Sequence, residues 1–314
     1  RARAGVPVRV LYDAVGSSLP DAYVDSPRAA GVRALPYRPV HWYSLDRAQD
    51  RSHVRAVVVD GRIGYTGGFG IADKWAGDGR HAGQWRDVNV RFSGPAVVRL
   101  QAAFLAGWAE ASHELLTGSR FFPPDAPTPA GDHVAGLLYT SPGSGSTQAE
   151  RFFALSITGA QRTLYITNAY FIPDAGMRRL LEAAVRRGVD VRVLTAGEKI
   201  DVKSVRYASH AHDEELLRAG VRIYEYQPSM IHSKSFVVDG VWATVGSMNF
   251  DNRATALNEE SSLVVYDRRL GARLDSTFLA DLRFAHEIRL SDFAQRPFYQ
   301  RLLERGAVLL ERLM

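Results

Sequence analysis

Apolar positions along this chain follow two rhythms. Short stretches such as GVDVRVL (188–194) and SKSFVVDGVWATVG (233–246) concentrate β-branched and aromatic residues over a few positions and predict strands. Longer stretches, among them SGPAVVRLQAAFLAGWAEASHELL (93–116) and RLGARLDSTFLADLRFAHEI (269–288), space their apolar residues by three and four and predict helices whose aromatic and Leu positions enter a core. Alternation of the two types argues for mixed sheets covered by helices.

The pattern also repeats. RAGVPVRVLYDA (3–14) matches RRGVDVRVLTAG (186–197), and AGVRALPYRP (30–39) matches AGVRIYEYQP (219–228). In the same register His53, Asp60, Gly67 and Gly68 keep the mutual spacings of His232, Asp239, Gly246 and Ser247, so duplication is the economical explanation. The second copy opens with a strand-helix-strand-helix run (AGLLYTSP, TQAERFFALSITGA, RTLYITNAYFIP, DAGMRRLLEAAVRRG) for which the first has no counterpart. The expectation is an absent N-terminal segment of roughly 50 residues or more that would complete the first unit. FFPPDAPTPAGDH (121–133), with four prolines and no period, reads as a linker and divides the chain into units 1–127 and 128–314.

The 314 residues suit two such units. No run of about 18 apolar residues is present, and residues 1–20 lack the features of a signal peptide. The net charge of +5 favours anionic partners, whether lipid headgroups, nucleic acid or a small phosphodiester. Without cysteine, thiol chemistry and cysteine-ligated zinc are excluded. Of 39 basic residues only Lys74, Lys199, Lys203 and Lys234 are lysines, which draws notice to Lys234 in the second repeat.

That lysine lies in IHSKSFVVDGVWATVGSMNFDN (231–252). Asp239 and Gly240 form the dipeptide of a tight hairpin turn, so Asp239 and its counterpart Asp60 have a turn reading beside a direct role in the site. His232 and Lys234 are two apart on a strand and project to one side. Gly246 permits close approach of a ligand to the backbone, while Ser247 and Asn249 supply donors. Lys, Ser, Asn and bare N–H groups around a histidine describe an oxyanion receptor suited to a phosphodiester.

The stretch His232 to Asn249 fits HxKx4Dx6GSxN and resembles the signature of the phospholipase D superfamily. GRIGYTGGFGIADKW, QWRDVNVRFSGPAVVRLQAAFLAGW, YFIPD (170–174) and NFDNRATALNEES are similar to stretches of bacterial cardiolipin synthases. The resemblance implies two duplicated α/β domains, each a mixed β-sheet flanked by helices, that give one motif each to a shared site. It further implies a phosphatidyltransferase or phosphodiesterase that needs no metal or cofactor, with a phosphatidylglycerol-like substrate at an anionic membrane surface. The location implied is cytoplasmic or peripheral, on the inner face of a bacterial membrane.

In-line displacement at phosphorus needs a nucleophile and a proton donor on opposite sides, roles that His53 and His232 would share; the resemblance favours His53 as the nucleophile. Each imidazole needs a carboxylate behind it, and the candidates are Glu260, 28 residues after His232, and Asp87, 34 after His53. Glu259 faces the other way on a strand. The first motif departs from the signature: Arg55 stands for Lys, Gly68 for Ser and Gly70 for Asn, the last a lost donor. A nuclease of the same superfamily and a phospholipid-binding relative with weakened turnover are the alternatives; no run of interleaved bases and aromatics favours nucleic acid. His41, His81, His113, His133, His210, His212 and His286 read as surface or packing residues, and His210 and His212 as too poorly aligned on a helix to share a metal.

Overall fold

A computed structural model describes residues 1–17, 19–40, 49–125, 128–142 and 147–308. Its largest element is a nine-stranded sheet. Three parallel strands, Thr163–Asn168, Asp190–Ala196 and Arg222–Tyr226, form one part. Their crossovers run through the helices Ala175–Arg186 and Lys203–Ala219. Against Thr163–Asn168 lies the antiparallel hairpin Lys234–Val238 and Trp242–Gly246, followed by the long strand Asn258–Tyr266.

Helices cover both faces of the parallel part, which is why its strands are apolar almost throughout. Leu164, Ile166, Val191, Val193 and Ile223 pack on one side with Phe153, Ile157 and Leu181. Tyr165, Leu194, Tyr224 and Tyr226 pack on the other with Phe278. The helix read through residues 269–288 ends earlier: Arg268–Leu282 is helical, and Ala285–Ile288 is a strand antiparallel to Arg222–Tyr226. Pairing along that edge satisfies backbone groups that the strand Arg222–Tyr226 would otherwise leave open.

The first repeat is built from the same parts without the piece that joins them. Arg9–Asp13 pairs in parallel with Arg33–Tyr37, as Asp190–Ala196 does with Arg222–Tyr226. Val57–Val59, Ile63–Gly67 and Asn89–Ser93 form a separate antiparallel sheet that matches the hairpin and its following strand. In the second repeat Thr163–Asn168 bonds to both groups and fuses them. Among the described residues of the first repeat no strand does this, as the sequence comparison of the two copies predicts.

Of the linker, residues 126 and 127 lie outside the described residues, as does His41. The strand after it, Val134–Thr140, already belongs to the large sheet, paired along Asn258–Tyr266. No helix among the described residues is long and apolar enough to cross a membrane.

Candidate active site

Two very short parallel pairings between the repeats create the site. Met230 and Ile231 pair with Trp85 and Arg86, and the His232 N–H then donates to the Arg86 carbonyl at 2.7 Å. Arg51 and Ser52 pair with Asn258 and Glu259, and the His53 N–H donates to the Glu259 carbonyl at 2.9 Å. Each histidine is therefore the first residue beyond a two-residue strand. The next residue on the partner strand is a carboxylate, Asp87 facing His232 and Glu260 facing His53.

The carboxylates are thus exchanged between the repeats. His53 Nδ1 lies 2.9 and 3.0 Å from the two oxygens of Glu260, and His232 Nδ1 lies 3.4 Å from Asp87 Oδ2. His232 Nδ1 has a closer partner in the Gly68 carbonyl at 2.8 Å. A carbonyl only accepts, so Nδ1 of His232 carries the proton and Nε2 of the neutral ring is bare. Glu260, as a carboxylate, imposes the same tautomer on His53. Glu259, one residue away, points to the opposite face and accepts from the Tyr37 hydroxyl at 2.7 Å.

Ser247 and Gly246, expected to touch substrate, serve Glu260 and its strand instead. Ser247 is fully buried, donates to Glu260 Oε2 at 2.6 Å and accepts from the Ser261 N–H at 3.0 Å. Gly246 is required because a Cβ there would collide with the Ser261 carbonyl and with Ser262 on the neighbouring strand, so the close approach is strand to strand. Gly68 contributes its carbonyl to His232. Asn249 is 5% exposed, and its Oδ1 has no hydrogen-bond partner among the described residues.

Asp60 and Asp239 are removed from the site. Both adopt positive φ, 54° each, followed by Gly61 and Gly240 at 65°, the backbone of a tight hairpin turn. Asp239 lies seven residues of extended chain from His232, on the order of 20 Å. Its carboxylate accepts from the N–H groups of Gln161, Arg162 and Thr163 at 3.0, 2.7 and 2.9 Å, anchoring the start of the central strand.

Two cations, Lys234 and Arg55, act on both histidines. Lys234 is 3% exposed, and its Nζ donates to the His232 carbonyl at 2.6 Å. Burial pushes its ammonium well down, against the opposing pull of Asp87 and Glu260. Burial likewise lowers Arg55, which feels Glu260 and Asp87 and whose Nε has no hydrogen-bond partner among the described residues. His232 is held well below the usual imidazole range by burial, then by the charges of Lys234, His53 and Arg55. Burial also lowers His53, with Glu260 opposing. His53 is the more open ring, its side chain 20% exposed against 7% for His232. Asp87 is raised by burial, with Lys234 the largest opposing influence.

Three features escaped the sequence reading. Trp85 and Trp75 pack against His232, with ring centroids 5.0 and 5.7 Å away, and Trp75 Nε1 donates to Asp87 Oδ2 at 3.1 Å. Arg38 and Glu110 join Tyr37 behind Glu259, with Arg38 Nε 2.7 Å from Glu110. His210 is buried in an ionic cluster, its Nε2 2.9 Å from Glu225 and Arg206 Nε 2.7 Å from the same oxygen.

Residues 155–282 match the family described as cardiolipin synthase, phospholipase D-like domain. Over its whole length the chain is 38% identical to a cardiolipin synthase of Geobacillus kaustophilus (strain HTA426), covering 63% of that protein. It is 35% identical to cardiolipin synthase A of Pseudomonas putida (strain W619), again along all of this chain, covering 65% of that protein. The chain therefore spans 63 to 65% of the length of these relatives. Its fold is similar to that of phosphatidylserine synthase from Haemophilus influenzae Rd KW20, with a TM-score of 0.70 at 12% identity over 98% of this chain and 83% of that one. Motif, family match and similarity along the whole of this chain agree: the chain resembles the bacterial cardiolipin synthases of the phospholipase D superfamily, and its fold is of the same kind.

Proposed function

We propose that this protein is a phosphatidyltransferase that opens a phospholipid diester through a phosphohistidine and passes the phosphatidyl group to an alcohol. The observation that carries the reading is the exchange of acceptors between repeats: each Nδ1 is held by groups from the other repeat, which makes each Nε2 the basic nitrogen of its neutral ring. Two cations, the buried Lys234 and the half-buried Arg55, accompany them. Such a site repels added protons when empty and gains from a bound anion, which suits a diester.

In the first half-reaction His53 Nε2 attacks phosphorus and the bond to the departing alkoxide breaks. Protonated His232 gives its Nε2 proton to that alkoxide, which leaves as an alcohol. The acceptor hydroxyl then loses its proton to His232 Nε2 as its oxygen bonds to phosphorus, and the P–N bond returns its electron pair to His53. Glu260, with both oxygens on Nδ1, stabilises the cationic phosphohistidine, which supports His53 as nucleophile. Relatives named cardiolipin synthase suggest phosphatidylglycerol as donor and the glycerol hydroxyl of a second phosphatidylglycerol as acceptor. Anionic lipid also suits the net charge of +5.

The test incubates the protein with phosphatidylglycerol vesicles and, separately, with labelled single-stranded DNA. Wild type is expected to release glycerol and leave DNA intact. His232→Ala is expected to lose turnover, and His53→Ala the acid-labile, alkali-stable phosphoenzyme as well. Cleavage of DNA without lipid turnover would move the protein to the nucleases, and turnover of neither substrate would sink the transferase reading.

A further inference from the structure

The first repeat lacks the Ser and Asn of the motif, and the space they would need is taken. A Cβ at Gly70 would lie 2.6, 2.8 and 3.0 Å from three carbons of the Trp75 ring. A Cβ at Gly68 would lie 2.6 and 2.7 Å from the two oxygens of Asp87. Neither glycine has positive φ, so what these positions require is room rather than an unusual backbone. In the second repeat Ser247 donates to Glu260, the carboxylate behind His53. In the first, the Trp75 indole donates to Asp87, the carboxylate behind His232.

We propose that Trp75 is the positioning residue of the first repeat: its N–H replaces the motif serine on Asp87, and its ring fills the volume of the motif asparagine. The Asp87 oxygen that takes the indole N–H is the one nearest His232 Nδ1. The other oxygen accepts the Val88 N–H at 2.7 Å. The ring is wedged between Trp85, 4.6 Å away at its centroid, and His232, which it meets edge-on at 89°. Lys74 Nζ lies 4.8 Å from its centroid and 3.6 Å from that of Trp85.

The exchange of serine for indole has a chemical consequence. A hydroxyl can donate to a carboxylate or accept from a carboxylic acid, whereas an indole only donates. Trp75 therefore favours ionised Asp87 alone, in the same sense as Val88 N–H, Lys234 and Arg55 and against burial. Ionised Asp87 orients His232 and supports its imidazolium. Removing the indole N–H leaves burial less opposed, so Asp87 would protonate at higher pH and the acid limb of activity would move upward.

This inference rests on the proposed role of Asp87 behind His232, so its test includes a readout independent of turnover. The chain has five tryptophans, and Trp75→Phe assigns one indole proton signal by deleting it. In wild type that signal is expected to lie downfield and to titrate with Asp87, above the ordinary carboxylate range; in Asp87→Asn the titration disappears. In the transfer assay Trp75→Phe is expected to lower kcat roughly 10- to 100-fold with KM within about twofold, and to shift the acid limb upward. Gly70→Ala, which keeps indole and carboxylate but displaces the ring, is expected to move both readouts in the same direction and decides the matter if the Phe variant does not fold. An indole proton indifferent to pH and to Asp87→Asn, or a Phe variant with wild-type kcat and pH profile, overturns the proposal. Absence of lipid turnover in wild type would overturn the functional reading instead, with the titration still judging Trp75.

Discussion

His53 and Glu260 stand 207 residues apart in the chain and 2.9 Å apart in the fold, joined by a bidentate contact on Nδ1. The opposite pair, His232 and Asp87, is looser at 3.4 Å, with the Gly68 carbonyl carrying the closer bond. The asymmetry predicts unequal costs. Glu260→Gln is expected to lower kcat by roughly 10³- to 10⁴-fold, because a neutral amide neither fixes the tautomer nor stabilises a cationic phosphohistidine. Asp87→Asn should cost less, on the order of 10- to 100-fold, since Gly68 still holds the ring. Rapid-quench measurement of phosphoenzyme formation checks the order; equal losses would refute the assignment of His53 as nucleophile.

Lys234 exposes a conflict between stability and function. Burial lowers its ammonium, and a charge so placed costs folding free energy unless fully compensated. Lys234→Met is expected to raise stability by about 1 kcal/mol or more while lowering kcat at least ~10²-fold. Denaturant unfolding and the transfer assay test the two halves of this claim. A variant that loses stability and activity together would mean that Lys234 holds the fold rather than the phosphate.

The depressed histidines make anion binding a proton-linked event. His232 lies well below the usual imidazole range in the empty site, and a diester anion beside it opposes the charges of Lys234 and Arg55 and draws it upward. Dimethyl phosphate, which does not titrate near neutrality, should therefore bind with proton uptake and more tightly as pH falls from 8 towards 6. Calorimetry in buffers of different ionisation enthalpy measures the uptake, and His232→Ala should reduce it. Zero uptake, or release, contradicts this electrostatic account.

Much of this site is legible in the sequence because its motif is local. The repeat and the hairpin around Asp239 follow from spacing and turn chemistry within a few residues. The exchange of carboxylates does not, because it depends on pairings only two residues long, Arg51–Ser52 with Asn258–Glu259 and Met230–Ile231 with Trp85–Arg86. Strands that short carry no periodicity, and their choice of partner is tertiary. Asp60 and Asp239 left two readings open in the sequence, a turn residue and a direct role in the site, and the positive φ at both positions favours the turn. Trp75 did leave a signal: two motif positions reduced to glycine, followed within a few residues by the largest side chain.

Asp213 lies on the helix Lys203–Ala219. It is 1% exposed and faces His210, Glu225, Glu304 and Arg296. Burial raises its carboxyl to about 7, with Glu225 and Glu304 adding to the rise and His210 and Arg296 opposing it. In the unfolded chain the same group titrates near ~3.9. The folded form therefore holds a proton that the unfolded form releases between about pH 4 and 7, and the associated stability is present below that window and lost as pH rises through it. Asp213→Asn mimics the neutral carboxyl at every pH. The melting temperature of the variant relative to wild type should climb between pH 4 and 7 and then level off. Thermal unfolding at pH 5 and 8.5 decides it: a difference that does not change between the two pH values would show that Asp213 is ionised throughout, held by His210 and Arg296 against burial.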